Sequence, residues 1–328
     1  MAHDARVALF ALGGTISMTG ASHGGVVPRL TGDDLLAGLG ALPVQVDVHD
    51  AVPVPSAALS FADVLDTVAA AQRAVARGAI GVVLSQGTDT LEETAFLIDS
   101  VWEDEAPFVV TGAMRNPTLP GADGPANLHA AIEVAAAAAA RGRGVLVAFL
   151  DEIHAARHLR KTHSTSPAAF ASPDLGPIGH VVEGTPRFLV ELPRRTPITG
   201  WTIEQLMQTR VALYTVTLDD DGKLLDGPDH SHQGLVIAGF GAGHVPPTLL
   251  PAIDEIIEAM PVVLTSRSGA GPVLAETYSA PGSERDLLAR GVIGGGFVHP
   301  FKARVLLRLL VAAGADRKEI ATAFAQLG

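Results

Sequence analysis

The first half of the chain alternates short, continuously apolar runs with longer segments whose apolar residues recur every three to four positions. Val7–Leu12 is an apolar run that ends in Gly13-Gly14. Phe61–Arg77 places Phe61, Val64, Leu65, Val68 and Val75 near one helical face, with Ser60 as N-cap, Asp63 at capping-box spacing and Gly78 as a stop. Ala79–Leu84 reads as the next strand, and Thr90 with Glu93 has the spacing of a capping box that opens a helix running to Glu103. Pro107–Thr111 predicts a strand, Ala126–Ala140 an alanine-rich helix and Gly144–Leu150 a further strand. Strands this apolar leave no face for solvent. Alternating with helices, they predict βαβ units: a larger N-terminal domain over residues 1–190, doubly wound, with a mostly parallel sheet and helices on both faces. Over residues 191–210 the pattern breaks into polar turn formers, Pro193-Arg194-Arg195-Thr196-Pro197-Ile198-Thr199-Gly200-Trp201, which predicts a linker. Alternation then resumes, with strands at Val211–Val216, Leu235–Gly239 and Pro261–Thr265 and helices at Leu249–Met260, Ser283–Arg290 and Phe301–Ala313. Residues 211–328 thus predict a smaller C-terminal α/β domain.

Composition agrees with two packed domains: in 328 residues, 48% hydrophobic against 18% charged supports a substantial core. A formal net charge of −12 argues against a nucleic-acid partner, which needs a basic face, and Arg157-His158-Leu159-Arg160-Lys161 is too short a basic stretch to reverse that. The absence of cysteine removes disulfides, thiol nucleophiles and thiolate metal sites. Val7–Leu12 is shorter than the apolar region of a signal peptide, and no stretch has the roughly 18 apolar residues of a membrane span. The expectation is a cytoplasmic protein with no membrane partner.

In an open parallel sheet, ligands bind beyond the carboxyl ends of the strands. Gly13, Gly14 and Thr15 follow the first strand, and Ser85, Gln86, Gly87, Thr88 and Asp89 follow the run at 79–84. Gly112, Ala113, Met114 and Arg115 follow the run ending at Thr111; Asp151, Glu152 and, further on, Lys161 follow the run ending at Leu150. Two hydroxyls, a carboxylate and an ammonium group therefore converge on one edge. A threonine hydroxyl is a weak nucleophile that needs a base or a proton relay. A lysine can serve where burial disfavours its charged form, and an aspartate beside it holds it in place while favouring that form. Glycines let the backbone approach a substrate closely and leave N–H groups for a developing oxyanion. Each element also has a plainer reading. Leu12-Gly13-Gly14-Thr15 can be a tight turn or a phosphate loop, although it lacks the G-x-G-x-x-G pattern and a P-loop lysine. Thr90 can simply cap a helix whose positive end Asp89 faces, and Lys161 can be a solvated surface lysine. His154, His158 and His163 invite a metal reading, since i, i+4 spacing would put His154 and His158 on one helix face, but no strong helix pattern supports that and Arg157, Arg160 and Lys161 among them argue against it. Asp219-Asp220-Asp221-Gly222 begins like a calcium loop, but His230 stands at the twelfth position, so it reads as a hairpin turn.

Taken together, these residues resemble the bacterial-type asparaginase family over nearly the whole chain. The resemblance is carried by Leu12-Gly13-Gly14-Thr15-Ile16, by Gln86-Gly87-Thr88-Asp89-Thr90-Leu91-Glu92-Glu93-Thr94-Ala95 and by Thr111-Gly112-Ala113-Met114-Arg115. Lys161-Thr162-His163-Ser164-Thr165 and Lys302-Ala303-Arg304-Val305-Leu306-Leu307 are similar too. The resemblance implies hydrolysis of L-asparagine to L-aspartate and ammonia with no metal or organic cofactor. It makes Thr15 the nucleophile on the side-chain amide, and Thr88, Asp89 and Lys161 a second catalytic set. Ser56, in Val54-Pro55-Ser56-Ala57, would hold the substrate α-carboxylate, Asp89 its α-ammonium group, and the Ala113 carbonyl the leaving amide. Gly14 and Gly87 would line the substrate, and Glu276 is the candidate for a glutamate contributed by a neighbouring subunit. The implied assembly is a homotetramer, a dimer of dimers, whose sites are completed by the smaller domain of a neighbour. Three positions depart from the family pattern. Ser17–Leu30 has no tyrosine and carries His23, Gly24, Gly25 and Arg29; Ala57 stands where a glutamine often follows the serine; and His244, in Gly239-Phe240-Gly241-Ala242-Gly243-His244, stands near the family's asparagine. A glutaminase-asparaginase or related amidase is therefore the alternative reading. A non-catalytic amino-acid-binding module is the third, and the full set of Thr15, Thr88, Asp89 and Lys161 counts against it.

Overall fold

The computed structural model describes residues 5–20, 26–28, 30–50, 54–225 and 231–327. The chain divides into two compact units, Met1–Pro197 and Ile198–Gly328. In the first unit the order is β1 (Arg6–Ala11), β2 (Met18–Gly20), β3 (Val26–Pro28), α1 (Gly32–Ala37), β4 (Gln45–Asp50), α2 (Phe61–Ala76), β5 (Ala79–Ser85), α3 (Leu91–Val101), β6 (Phe108–Thr111), α4 (Gly124–Ala136) and β7 (Val145–Phe149). Five short strands follow: β8 (Glu152–Ala155), β9 (Arg160–Lys161), β10 (Phe170–Ala171), β11 (Gly179–Val182) and β12 (Thr185–Phe188).

Among the described residues the main sheet has eight strands in the order β12-β11-β8-β7-β6-β5-β1-β4. β4, β1, β5, β6 and β7 run parallel, as the apolar character of β1, β5, β6 and β7 predicts; β4, with alternating polar residues, is not expected from the sequence. Val82, Val83 and Leu84 of β5 are wholly buried, which requires cover on both faces. On one side Leu128, Ala131, Ile132 and Ala135 of α4 share a core with Val7, Leu9, Val83, Val109 and Leu146. From β1 the chain goes outward to β4, then crosses to place β5 on the other side of β1. Strand order therefore reverses at the carboxyl ends of β1 and β5, where an open α/β sheet has its binding crevice.

The remaining strands of that sheet are antiparallel. β7 turns straight into β8 through Leu150 and Asp151, both left-handed at φ 48° and 60°. Such a two-residue turn matches the twist of the strands it joins but is costly for residues with a Cβ. The predicted capping of α2 is present in full: the Ser60 hydroxyl accepts from Asp63 N and the Asp63 carboxylate accepts from Ser60 N. The capping box expected at Thr90 and Glu93 is not formed. Thr90 occupies the N-cap position, but its hydroxyl donates to the Ser56 carbonyl at 3.1 Å, a tertiary bond that replaces the local one. The alanine-rich helix spans Gly124–Ala136 and gives way to a 3-10 turn at Ala138–Ala140 instead of continuing.

The second unit contains α5 (Ile203–Gln208), β13 (Val211–Thr215), β14 (Gly234–Gly239), α6 (Leu250–Ala259), β15 (Val262–Ser266), α7 (Glu284–Ala289), β16 (Ile293–Gly294), α8 (Pro300–Ala312) and α9 (Arg317–Ala325). Its sheet is parallel in the order β13-β14-β15-β16, over a core that includes Ile237, Ile253, Val262 and Leu264. α5 lies inside the stretch predicted as linker, opened by a Thr202–Gln205 capping box. The acidic turn at 219–222 is a turn, with the Asp220 carboxylate accepting from Thr217 N and Gly222 N at 3.1 Å each and from the Tyr214 hydroxyl. It is not a hairpin, because the strands on either side of it, β13 and β14, are parallel; His230 lies outside the described residues. Among the described residues no helix is long and apolar enough to cross a membrane.

His154 sits on β8 with 1% of its surface exposed, not on a helix. Its Nδ1 meets Ser172 Oγ at 3.0 Å and its Nε2 meets Glu152 Oε2 at 3.1 Å. Burial pushes its pKa below the ordinary histidine value; Glu152 opposes that shift and His180 reinforces it. The unfolded chain binds the proton more tightly, so the stability contributed by the neutral ring is complete above about pH 6.5 and is lost progressively as pH falls from there through the lowered folded-state value. Urea midpoints of the wild-type protein should therefore drop between pH 7 and pH 5 more steeply than those of His154→Gln, and parallel curves would remove this histidine from the acid response.

Candidate functional site

Two glycine turns press together at the switch point. Gly13 and Gly14 leave β1 with φ 85° and 91°, and Thr15 opens a 3-10 turn, Thr15–Ser17, with its side chain partly buried. Leu12 N donates to Ser85 O at 2.9 Å, which ties this turn to the end of β5. A Cβ on Gly14 would lie 2.2 Å from Gly87 N and 2.3 Å from Gly87 Cα, and a Cβ on Gly87 would lie 2.6 Å from Ser56 Oγ. The sequence has glycine at both positions because the loops carrying Thr15, Thr88 and Ser56 stack at backbone contact. Gly112 repeats the device for the loop after β6: a Cβ there would lie 2.6 Å from Gln86 O and 3.3 Å from Thr88 Cγ2.

Lys161 arrives from β9. Its Nζ donates to Thr88 Oγ1 at 2.9 Å and to Asp89 Oδ1 at 3.3 Å, with 16% of its side chain exposed. The lysine is fixed at its other end too, since Lys161 N donates to Glu92 Oε2 at 2.6 Å. Glu92 is buried in the first turn of α3, the helix that the Thr88-Asp89 loop leads into. Arg160 beside it has its pKa lowered by burial, an effect that Glu92 and then Asp174 counteract. A buried carboxylate of this kind is tolerable only because its charge and lone pairs are met. Ser56 Oγ donates to Asp89 Oδ2 at 3.3 Å and accepts from Asp89 N at 3.2 Å. The Asp89 side chain is 66% exposed, so it can meet Lys161 and Ser56 and still receive a cationic group from solvent.

Thr88, Asp89, Lys161 and Ser56 are thus joined by hydrogen bonds, and Gly14 and Gly87 are in contact. Ala113 is buried on the loop that Gly112 holds against Thr88. Glu276 is exposed in the second unit, where His244 pairs instead with the buried Glu284, Nε2 to Oε2 at 3.1 Å. His23, Gly24, Gly25 and Arg29 lie outside the described residues. Sequence reasoning passed over Glu92, Asp123 and Asn127. Glu92 looks like any acid in a helix first turn, but Asp123-Gly124-Pro125 carries the signature of a helix start and pointed to the head of α4.

Comparison with known proteins gives this geometry its context. Residues 6–194 match the family model described as Asparaginase, N-terminal, and residues 210–324 the one described as Glutaminase/Asparaginase C-terminal domain. The chain is 32% identical over 315 residues to an L-asparaginase of Bacillus licheniformis, covering 94% of this chain and 96% of that one. It is 30% identical over 333 residues to a glutaminase-asparaginase of Pseudomonas fluorescens, covering 98% and 90%. A solved structure named "Probable Cytoplasmic L-asparaginase" from Campylobacter jejuni superposes with a TM-score of 0.86 at 29% identity, covering 98% of this chain and 99% of that one. With both family models matched and relatives aligned from end to end, the chain belongs to the asparaginase family.

Proposed function

We propose that this protein is an L-asparaginase, an amidohydrolase that converts L-asparagine to L-aspartate and ammonia through a threonine nucleophile. The observation that carries the reading is the contact of Lys161 Nζ with Thr88 Oγ1 and Asp89 Oδ1 at the switch point, beside the turn that holds Thr15. Thr15 Oγ1 attacks the side-chain amide carbon. A C–O bond forms, the C–N bond breaks, the hydroxyl proton passes to the departing nitrogen, and ammonia leaves; water then hydrolyses the ester. Thr88, Lys161 and Asp89 form the relay that moves protons during these steps. Asp89 receives the α-ammonium group, Ser56 the α-carboxylate, and the Ala113 carbonyl the amide nitrogen, with Gly14 and Gly87 lining the substrate. Every step is assigned to the chain itself, without a cofactor.

Family membership supports a homotetramer in which the smaller domain of a neighbouring subunit, carrying His244 and Glu276, closes each site. The likeness to a protein named cytoplasmic supports that compartment here. Ala57 leaves the balance between asparagine and glutamine open to measurement, and the relative named a glutaminase-asparaginase keeps the broader substrate range as the second reading. Ammonia release from each amino acid, measured side by side, separates the two. Wild-type protein should turn over L-asparagine, and Thr15→Ala should lose about 10³-fold or more of that rate. Binding of asparagine without turnover by the wild-type protein would make it a binding module instead.

A further inference from the structure

The head of α4 braces the loop after β6. Both Asp123 oxygens accept from Met114 N, at 3.1 and 3.0 Å, and Oδ1 also accepts from Arg115 N at 2.8 Å. Asn127 donates to Asp123 Oδ2 at 3.2 Å and to the Gly112 carbonyl at 3.0 Å, while its own carbonyl accepts from Leu150 N at 2.9 Å. Both residues are buried, and the bond to Leu150 N also meets the strained turn between β7 and β8. Gly124, between them, is a close-contact position: a Cβ there would lie 2.8 Å from Ile16 Cγ1 and 3.4 Å from Ala113 Cβ. One helix head therefore supports Ile16, next to Thr15, as well as the loop of Ala113.

The peptide unit joining Ala113 to Met114 is trans and planar, so its C=O points opposite to its N–H. Because the Met114 N–H is held on Asp123, the Ala113 carbonyl is turned away from the head of α4. The loop that carries this carbonyl lies against Thr88.

We infer that Asp123, braced by Asn127 and bonded to Met114 N on the loop against Thr88, is a positioning residue that aims the Ala113 carbonyl at the departing nitrogen and so favours carboxamides over carboxylic esters. The inference rests on the L-asparaginase reading. A carboxamide has N–H groups to give that carbonyl as the C–N bond breaks; an ester leaving group has none. Asn at position 123 keeps the shape but replaces one of the two oxygens shared by Met114 N, Arg115 N and Asn127 with an NH₂ group, so the hold on the Met114 peptide is weakened.

The test compares L-asparagine with L-aspartate β-methyl ester, scored as the ratio of kcat values. Asp123→Asn should lower the amide-to-ester ratio about 10-fold or more, within the range that small misplacements in a site produce. Asn127→Ala, which leaves Asp123 in place but removes its brace, should move the ratio in the same direction by less, and it decides the matter if Asp123→Asn does not fold. KM should change less than kcat, since Ser56 and Asp89 are untouched. Equal losses on both substrates would mean a structural role and overturn the proposal, as would an unchanged ratio. A wild-type protein inactive on both substrates would overturn the enzyme reading itself, and the proposal with it.

Discussion

Lys161→Met is expected to lower the rate of ammonia release from L-asparagine by about 10³-fold, in the middle of the range for losing a proton-transfer group. Methionine matches the four-atom stem of lysine but has no donor for Thr88 Oγ1, now 2.9 Å from Nζ, or for Asp89 Oδ1 at 3.3 Å. Both partners would remain in place: Asp89 is held by Ser56, and Thr88 lies on a loop bounded by Gly14 and Gly112. The fold should survive, because the Lys161 backbone keeps its bond to Glu92 and an ion pair whose carboxylate is two-thirds exposed adds little stability. A thermal melt within a few degrees of wild type, together with the rate loss, would isolate the ammonium group as the cause. A variant within 10-fold of wild-type turnover would place Lys161 outside the chemistry.

Gly14→Ala is expected to destabilise the first unit by on the order of 3–5 kcal/mol, among the largest effects open to a single methyl group. Two causes add. The backbone there has φ 91°, a left-handed conformation that alanine resists, and the methyl would lie 2.2 Å from Gly87 N. The obstacle is main chain, so no rotamer change relieves it, and Gly87 cannot retreat because its own face meets Ser56 Oγ at 2.6 Å from an ideal Cβ. The melting temperature should fall by roughly 6–20 °C for a unit of this size. Residual folded protein should also be impaired, since separating the loops displaces Thr15 from Thr88. Alanine at Gly142 is the control: φ is 70°, but open space surrounds the missing Cβ, so only the conformational cost remains. Equal effects at the two positions would show that contact between the loops is unimportant.

Most of the parallel strands were legible because a strand buried on both faces is apolar at every position, as Val82–Leu84 and Val109–Val110 are; β4, which alternates polar residues, and the two-residue β16 were not. β8 to β12 were not. They are two to four residues long, mix buried with exposed positions, and depend on turns through Leu150-Asp151 and Glu183-Gly184 that no strong turn signal announces. Local patterns failed where tertiary bonds outbid them: the Thr90 hydroxyl goes to Ser56, so a correct-looking capping box is empty. The linker hid a helix for the opposite reason, since the Thr202–Gln205 capping box is formed amid turn residues. For the site, strand ends alone put Thr15, Thr88 and Asp89 on one edge. Lys161 is less legible, because it reaches Thr88 from a two-residue strand that no periodicity can signal.

The two attachments of Lys161 share one origin. Its ammonium meets Thr88 and Asp89 just before α3, and its backbone meets Glu92 in the first turn of that helix. Any displacement of the head of α3 would therefore carry lysine, hydroxyl and carboxylates together. The same segment carries Gly87, which lies in backbone contact with Gly14, so the relay and the turn that holds Thr15 are both referenced to the start of one helix.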